Sequence, residues 1–168
     1  YSLSNQSFEA NNISVKKISD AGGVLAVWNQ DGNFSDVYAQ KIDWNGVGQW
    51  QDFGVPVSAA DNDQSAISFD IDASGSYAFI AWEDYRNGND YNVLGKEINL
   101  NSGSISSDDI YFSSDTTSQQ SPLVKAVADG EFVLIWEDGR GYYNSDPLLI
   151  NGVDLYGSAY VVGSGRTT

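Results

Sequence analysis

Cysteine, histidine and methionine are all missing from this chain of 168 residues. Without cysteine there is no disulfide staple, no thiolate nucleophile and no sulfur-ligated metal site. Without histidine, a Ser-His-Asp triad, a His-ligated zinc and an imidazole switch near neutral pH are excluded. The absence of an initiator methionine leads us to expect a processed or excised piece. Basic residues are scarce, with 8 Lys+Arg against 23 Asp+Glu and a formal net charge of −15. That balance repels phosphate backbones and argues against nucleic acid as a partner. No stretch approaches the roughly 20 apolar residues of a membrane span, so no membrane insertion is expected.

What the chain does have is a period. Trp28, Trp82 and Trp136 follow one another at steps of 54 residues. Two of them head near-identical strings, Trp82-Glu83-Asp84-Tyr85-Arg86 and Trp136-Glu137-Asp138-Gly139-Arg140. The first copy, Trp28-Asn29-Gln30-Asp31-Gly32, is worn. A fixed period of this length marks a repeat architecture, whose units bury their apolar faces against each other.

Each unit carries the same signals in order. A Gln-Ser pair (Gln6-Ser7, Gln64-Ser65, Gln120-Ser121) precedes a strand of partly alternating polarity. After a Gly-containing turn comes an apolar run ending at the tryptophan: Val24 to Trp28, Tyr77 to Trp82, Phe132 to Trp136. Such short runs, rich in β-branched and aromatic residues, predict buried strands. A polar turn and a third strand follow, and a fourth strand ends at Val55–Ser58 and at Ile110–Ser113. No helix pattern is present. Four antiparallel strands in about 54 residues is the plan of a β-propeller blade. The expected fold is therefore all-β, with three four-stranded antiparallel sheets as blades of an incomplete ring. The blades span about 5–58, 59–114 and 115–162, with a stray outer strand at 1–4 and a tail at 163–168. A β-sandwich is the alternative, but it would not require the period.

The repeats resemble the Trp-Glu-Asp-x-Arg propeller repeats found in tandem in bacterial secreted and cell-surface proteins. The resemblance covers roughly residues 1–162 and implies an extracellular or cell-surface setting, with a binding or structural role rather than catalysis. Propellers typically need at least four blades to close. Three blades make an arc with apolar side faces, and the last blade is expected to have only three strands. Exposed edges and apolar faces are association sites. We therefore expect copies of the chain to partner one another, with Tyr1, Ser2, Leu3 and Ser4 pairing as the outer strand of a neighbour's last blade. Two copies would close a six-bladed ring; a head-to-tail contact that fails to close would give a fibre.

The candidate sites follow from the same pattern. Trp28, Trp82 and Trp136 fill the space between blades, and Asp84, Arg86, Asp138 and Arg140 tie turns across them. Glu83, Asp84, Glu137 and Asp138 could instead be paired acids of a glycosidase, but repetition favours architecture. The loop after Trp136 is the longest of its kind, and Tyr85, Tyr142 and Tyr143 are suited to stack on sugar rings. Trp44 and Trp50 have no counterparts in other units and are candidates for a carbohydrate platform, an intersubunit anchor or local packing. No resident cofactor is expected. Asp61, Asp63 and Asp90 offer oxygens for calcium, although neither of their loops follows the twelve-residue EF-hand pattern. Taken together the sequence predicts a non-catalytic extracellular propeller module for self-assembly or adhesion, with glycans or a cell-surface protein as further partners. The alternatives are a lectin-like propeller and a fragment of a sialidase-like or arabinanase-like glycoside hydrolase. The Ser-x-Asp-x-Gly-x-Thr-Trp box of sialidase propellers is absent from the sequence.

Overall fold

The apolar runs that end at the repeated tryptophans become the second strand of three sheets: β2 (Gly23–Asp31), β6 (Tyr77–Asp84) and β10 (Glu131–Asp138). The computed structural model describes residues 2, 7–20, 22–113, 116–140 and 153–167. First strands are β1 (Glu9–Ser19), β5 (Gln64–Ile71) and β9 (Gln119–Ala128). Third strands are β3 (Ser35–Ile42), β7 (Asn92–Asn99) and β11 (Asp154–Val161). Fourth strands are β4 (Val55–Ser58), β8 (Ile110–Tyr111) and β12 (Gly165–Thr167). Each sheet is an antiparallel meander in chain order, β1-β2-β3-β4, β5-β6-β7-β8 and β9-β10-β11-β12. Consecutive first strands lie against each other, β1 by β5 and β5 by β9. This is the arrangement of propeller blades, here three in an arc.

Two apolar cores sit between the blades. Leu25, Val27 and Val37 of the first sheet meet Ile80, Trp82 and Leu94 of the second. Phe79, Ala81 and Val93, on the other face of the second sheet, meet Phe132, Leu134 and Trp136 of the third. The middle strand β6 is therefore buried on both faces, from Ala78 to Asp84. That explains why its sequence is a continuous apolar run and not an alternating one.

Each first strand is broken by a bulge. Asn12, Ala66 and Ser121 adopt left-handed conformations, with φ of 50°, 46° and 54°. They fall where the pairing between first and second strands slips. An extra residue there bends the strand and increases its twist. The bulge also sets the true register of the repeat. Gln119, fully buried, lies opposite Asp138 as Gln64 lies opposite Asp84. The third copy of the glutamine is thus Gln119, one residue before the expected Gln120, which is exposed.

The last blade also differs from expectation. The stretch expected as a tail contains a strand, because β12 pairs with Ala159–Val161 and makes the third sheet four-stranded; residue 168 lies outside the described residues. In the other sheets the same stretch of the third strand is met by isolated bridges, Ile42 to Gly48 and Ile98 to Ile105. The β11 edge from Asp154 to Gly157, opposite which β4 and β8 lie elsewhere, pairs with no strand on that side among the described residues. Ser2 lies in coil and is half-buried; Tyr1, Leu3 and Ser4 lie outside the described residues.

Gly95 in β7 is required by packing. A Cβ there would stand 2.5 Å from the ring of Phe79, which is fully buried beside Phe112, Phe132 and Tyr160. The ring cannot move aside without disturbing the seam between the second and third blades. Gly95→Ala is expected to destabilise the fold by about 1–3 kcal/mol in urea denaturation, with no change in strand content by circular dichroism.

Candidate functional site

The most organised polar features lie at the seams between blades. Asp84, fully buried at the end of β6, accepts the Trp82 indole N–H at 2.8 Å. The same carboxylate holds Arg86 through its Nε and Nη2, both at 2.7 Å, and accepts the Arg86 backbone N–H at 3.0 Å. Arg86 then reaches back to Ser58, at the end of β4 in the preceding blade, and to Asp109. The second seam repeats this. Trp136 donates to Asp138 at 3.2 Å, Arg140 forks onto it at 2.9 and 2.7 Å, and Arg140 Nη2 donates to Ser113 Oγ at 2.8 Å. A bidentate guanidinium on a dry carboxylate is a rigid, directional clamp. The first blade lacks it, since Gln30 and Gly32 occupy the Asp and Arg positions. Accordingly the Trp28 indole N–H is buried without an acceptor among the described residues.

A second seam device lies on the first strands. Lys16, Asp70 and Lys125 occupy one register position, opposite Leu25, Phe79 and Val133, each three residues before its tryptophan. Asp70 Oδ1 accepts from Lys16 at 2.8 Å, and Oδ2 accepts from Lys125 at 2.7 Å and from the Ala126 N–H at 3.0 Å. Burial works to raise the Asp70 pKa, but Lys125, Lys16 and the Ala126 N–H outweigh it and hold the carboxyl well below the usual range. Asp138 is likewise depressed, with burial opposed and overcome by Arg140.

The position after each tryptophan also crosses a seam. Asn29 Nδ2 donates to the Gln64 carbonyl at 2.7 Å, and Glu83 Oε1 accepts the N–H of the bulge residue Ser121 at 2.7 Å. Their counterpart Glu137 is exposed, because it points to the side where no further blade follows among the described residues. On the same face Leu123, Val127, Ile135 and Leu155 are 62%, 59%, 41% and 74% exposed. In the second blade the counterparts of Ile135 and Leu155 are Ala81 and Val93, both fully buried.

The ligand candidates are scattered. Tyr85 packs on Tyr91 at 4.8 Å between ring centroids. Trp44 is exposed and anchors its own turn by donating to the Asp20 carbonyl at 2.8 Å. Trp50 packs in the first seam, where the Gly103 backbone comes close to its ring. It is thus part of a blade interface and not an open platform. Tyr142 and Tyr143 lie outside the described residues. Asp63 accepts the Ser35 N–H at 3.0 Å, while Asp90 is engaged by Asn87 and Asn92. Among the described residues no three His, Cys, Asp or Glu side chains gather to hold a metal ion. Asp61, Asp63 and Asp90 are thus not brought together as a three-carboxylate cluster.

One cleft of about 450 Å³ opens beside the first blade, lined by residues including Phe8, Phe34, Tyr38, Asp36 and Asp61. Burial, and then the neighbouring Asp63 carboxylate, push the Asp36 pKa up. The cleft has no signal in the sequence, since Phe8 and Phe34 belong to no repeated string. Ser58, Ser113 and the Lys16–Asp70–Lys125 row also escape sequence reasoning. The serines recur at the ends of fourth strands, and the charged row emerges once the bulges are aligned.

No family model and no curated protein matches the chain. A solved endo-arabinase from Bacteroides thetaiotaomicron is similar over 89% of this chain and 55% of its own, at 10% identity and a TM-score of 0.49. The chain thus spans about half the length of that structure's chain.

Acid should dissolve the Asp70 device and the Asp138 clamp. A carboxyl with a depressed folded pKa contributes stability that is complete above its unfolded value of about 3.9 and is lost as pH falls toward the folded value. Thermal melts are expected to drop steeply below about pH 4. Asp70→Asn should cost roughly 2 kcal/mol at neutral pH and flatten the acid limb. An unchanged acid limb in that variant would remove Asp70 from the account.

Proposed function

We propose that this chain is a non-catalytic, extracellular propeller module that works by associating blade to blade, in self-assembly or adhesion. The observation that carries the reading is the face of the third blade. Its exposed Leu123, Val127, Ile135 and Leu155 stand where the other blades bury their seams. An apolar face of this kind, rimmed by Lys125 and Glu137, is a protein-association surface. The β11 edge from Asp154 to Gly157 is a second open surface, and Tyr1–Ser4 repeats the pattern of Val55–Ser58 that fills this place in the first blade. A second copy is the simplest supplier of both a covering blade and an edge strand.

The repeated acids support a role without catalysis. Asp84 and Asp138 are buried under arginines, and Glu83 is engaged by Ser121. These carboxylates are committed to the seams and do not face a common pocket as a glycosidase pair must. A second reading, glycan binding, is favoured by the cleft of Phe8, Phe34, Tyr38 and Asp36, which combines apolar rings with hydrogen-bonding oxygens.

Sedimentation velocity tests the first reading. The average mass of the wild-type chain should rise with concentration, and the double variant Ile135→Lys, Leu155→Lys should stay monomeric with an unchanged melting temperature. A wild-type chain that behaves as the double variant does at every concentration rejects it. For the second reading, Phe34→Ala should abolish binding to any neutral oligosaccharide that the wild type retains on a glycan array.

A further inference from the structure

We propose that the open face of the third blade selects its partner by charge, taking a propeller blade whose first strand carries a carboxylate at the register of Asp70. The inference rests on the blade-to-blade reading above. Its basis is the alternation within the molecule. At a register position shared by all three first strands, the order is lysine, aspartate, lysine: Lys16, Asp70, Lys125. Each of the two internal seams therefore joins a cation to an anion. Lys125 is 73% exposed and Lys16 38%, whereas the Asp70 side chain between them is 9% exposed. The next seam in the series continues the alternation only if the incoming strand supplies an acid. That acid would face Lys125 as Asp70 does, with Ile135, Leu123 and Leu155 covered around it.

The first blade of a second copy is a poorer fit on two independent counts. It carries Lys16 at the deciding position, so Lys125 and Lys16 would meet as like charges, which disfavours a partner. It also lacks the clamp that the following blade supplies at both internal seams, since Gln30 and Gly32 stand in place of the aspartate and the arginine. Copies of the chain thus associate weakly, and a blade bearing both the acid and the Trp-x-Asp-x-Arg clamp binds better.

A charge-swap cycle on the full chain tests this, with a second copy as the probe and binding read by fluorescence at low salt. The labelled chain contributes position 125 and carries Ile13→Lys, at an exposed apolar residue of β1, which blocks its own first-blade face. The unlabelled chain contributes position 16 and carries Ile135→Lys, which blocks its own third-blade face. Two pairings set opposite charges across the seam: unchanged Lys125 against Lys16→Glu, and Lys125→Glu against unchanged Lys16. The other two set like charges there, with both lysines kept or both replaced by glutamate. Each opposite-charge pairing should bind about tenfold more tightly than either like-charge pairing, and the difference should vanish at high salt. A folding defect in one variant cannot produce that crossed pattern. Four equal affinities overturn the charge selection and leave blade-to-blade association standing. Failure of every pairing to associate overturns both.

Discussion

A strand that is apolar on both faces cannot be satisfied by its own sheet. β6 is such a strand, with Phe79 and Ala81 turned to one neighbour and Ile80 and Trp82 to the other. The second blade must therefore be sandwiched, and its apolar burial lies at the seams on either side. The polar devices follow from this requirement. A buried indole N–H needs an acceptor, the acceptor is a carboxylate, and the dry carboxylate needs a cation. The Trp82–Asp84–Arg86 chain of contacts meets these needs in sequence and ends on Ser58 of the preceding blade. Packing and polar satisfaction thus act across the same boundary.

The seams also reconcile the acidity of the chain with its cohesion. A net charge of −15 favours dispersal of the surface charges. The few basic residues are placed where they matter most. Lys16 and Lys125 flank Asp70, Arg86 and Lys96 share Asp109, and Arg140 covers Asp138. The partly exposed members contribute modestly one by one, yet they fix which strand faces which.

Much of this architecture is legible in the amino-acid order. The tryptophan period sets the number of blades, and the apolar runs mark the central strands, because burial on both faces leaves an uninterrupted signal. First strands are harder to read. Their left-handed bulges at Asn12, Ala66 and Ser121 insert one residue and break the alternation, and Gln119 stands where Gln120 is expected because strand pairing, not the Gln-Ser spelling, sets the register. The fourth strands are short, and β12 follows a Gly163–Gly165 stretch that reads as a frayed end. Its pairing depends on the exposed edge of β11, a tertiary fact with no local signature. The cleft beside the first blade is invisible for a similar reason, since Phe8, Phe34 and Tyr38 are brought together only by the fold.

The worn first unit has a meaning at the level of the whole array. Its Gln30 and Gly32 leave Trp28 without the acceptor and the arginine found at the other two tryptophans. The first blade thus lacks the clamp with which the other two hold the sheet before them, while the third leaves an apolar face uncovered on its far side. The molecule is vectorial: its two flanks are not interchangeable.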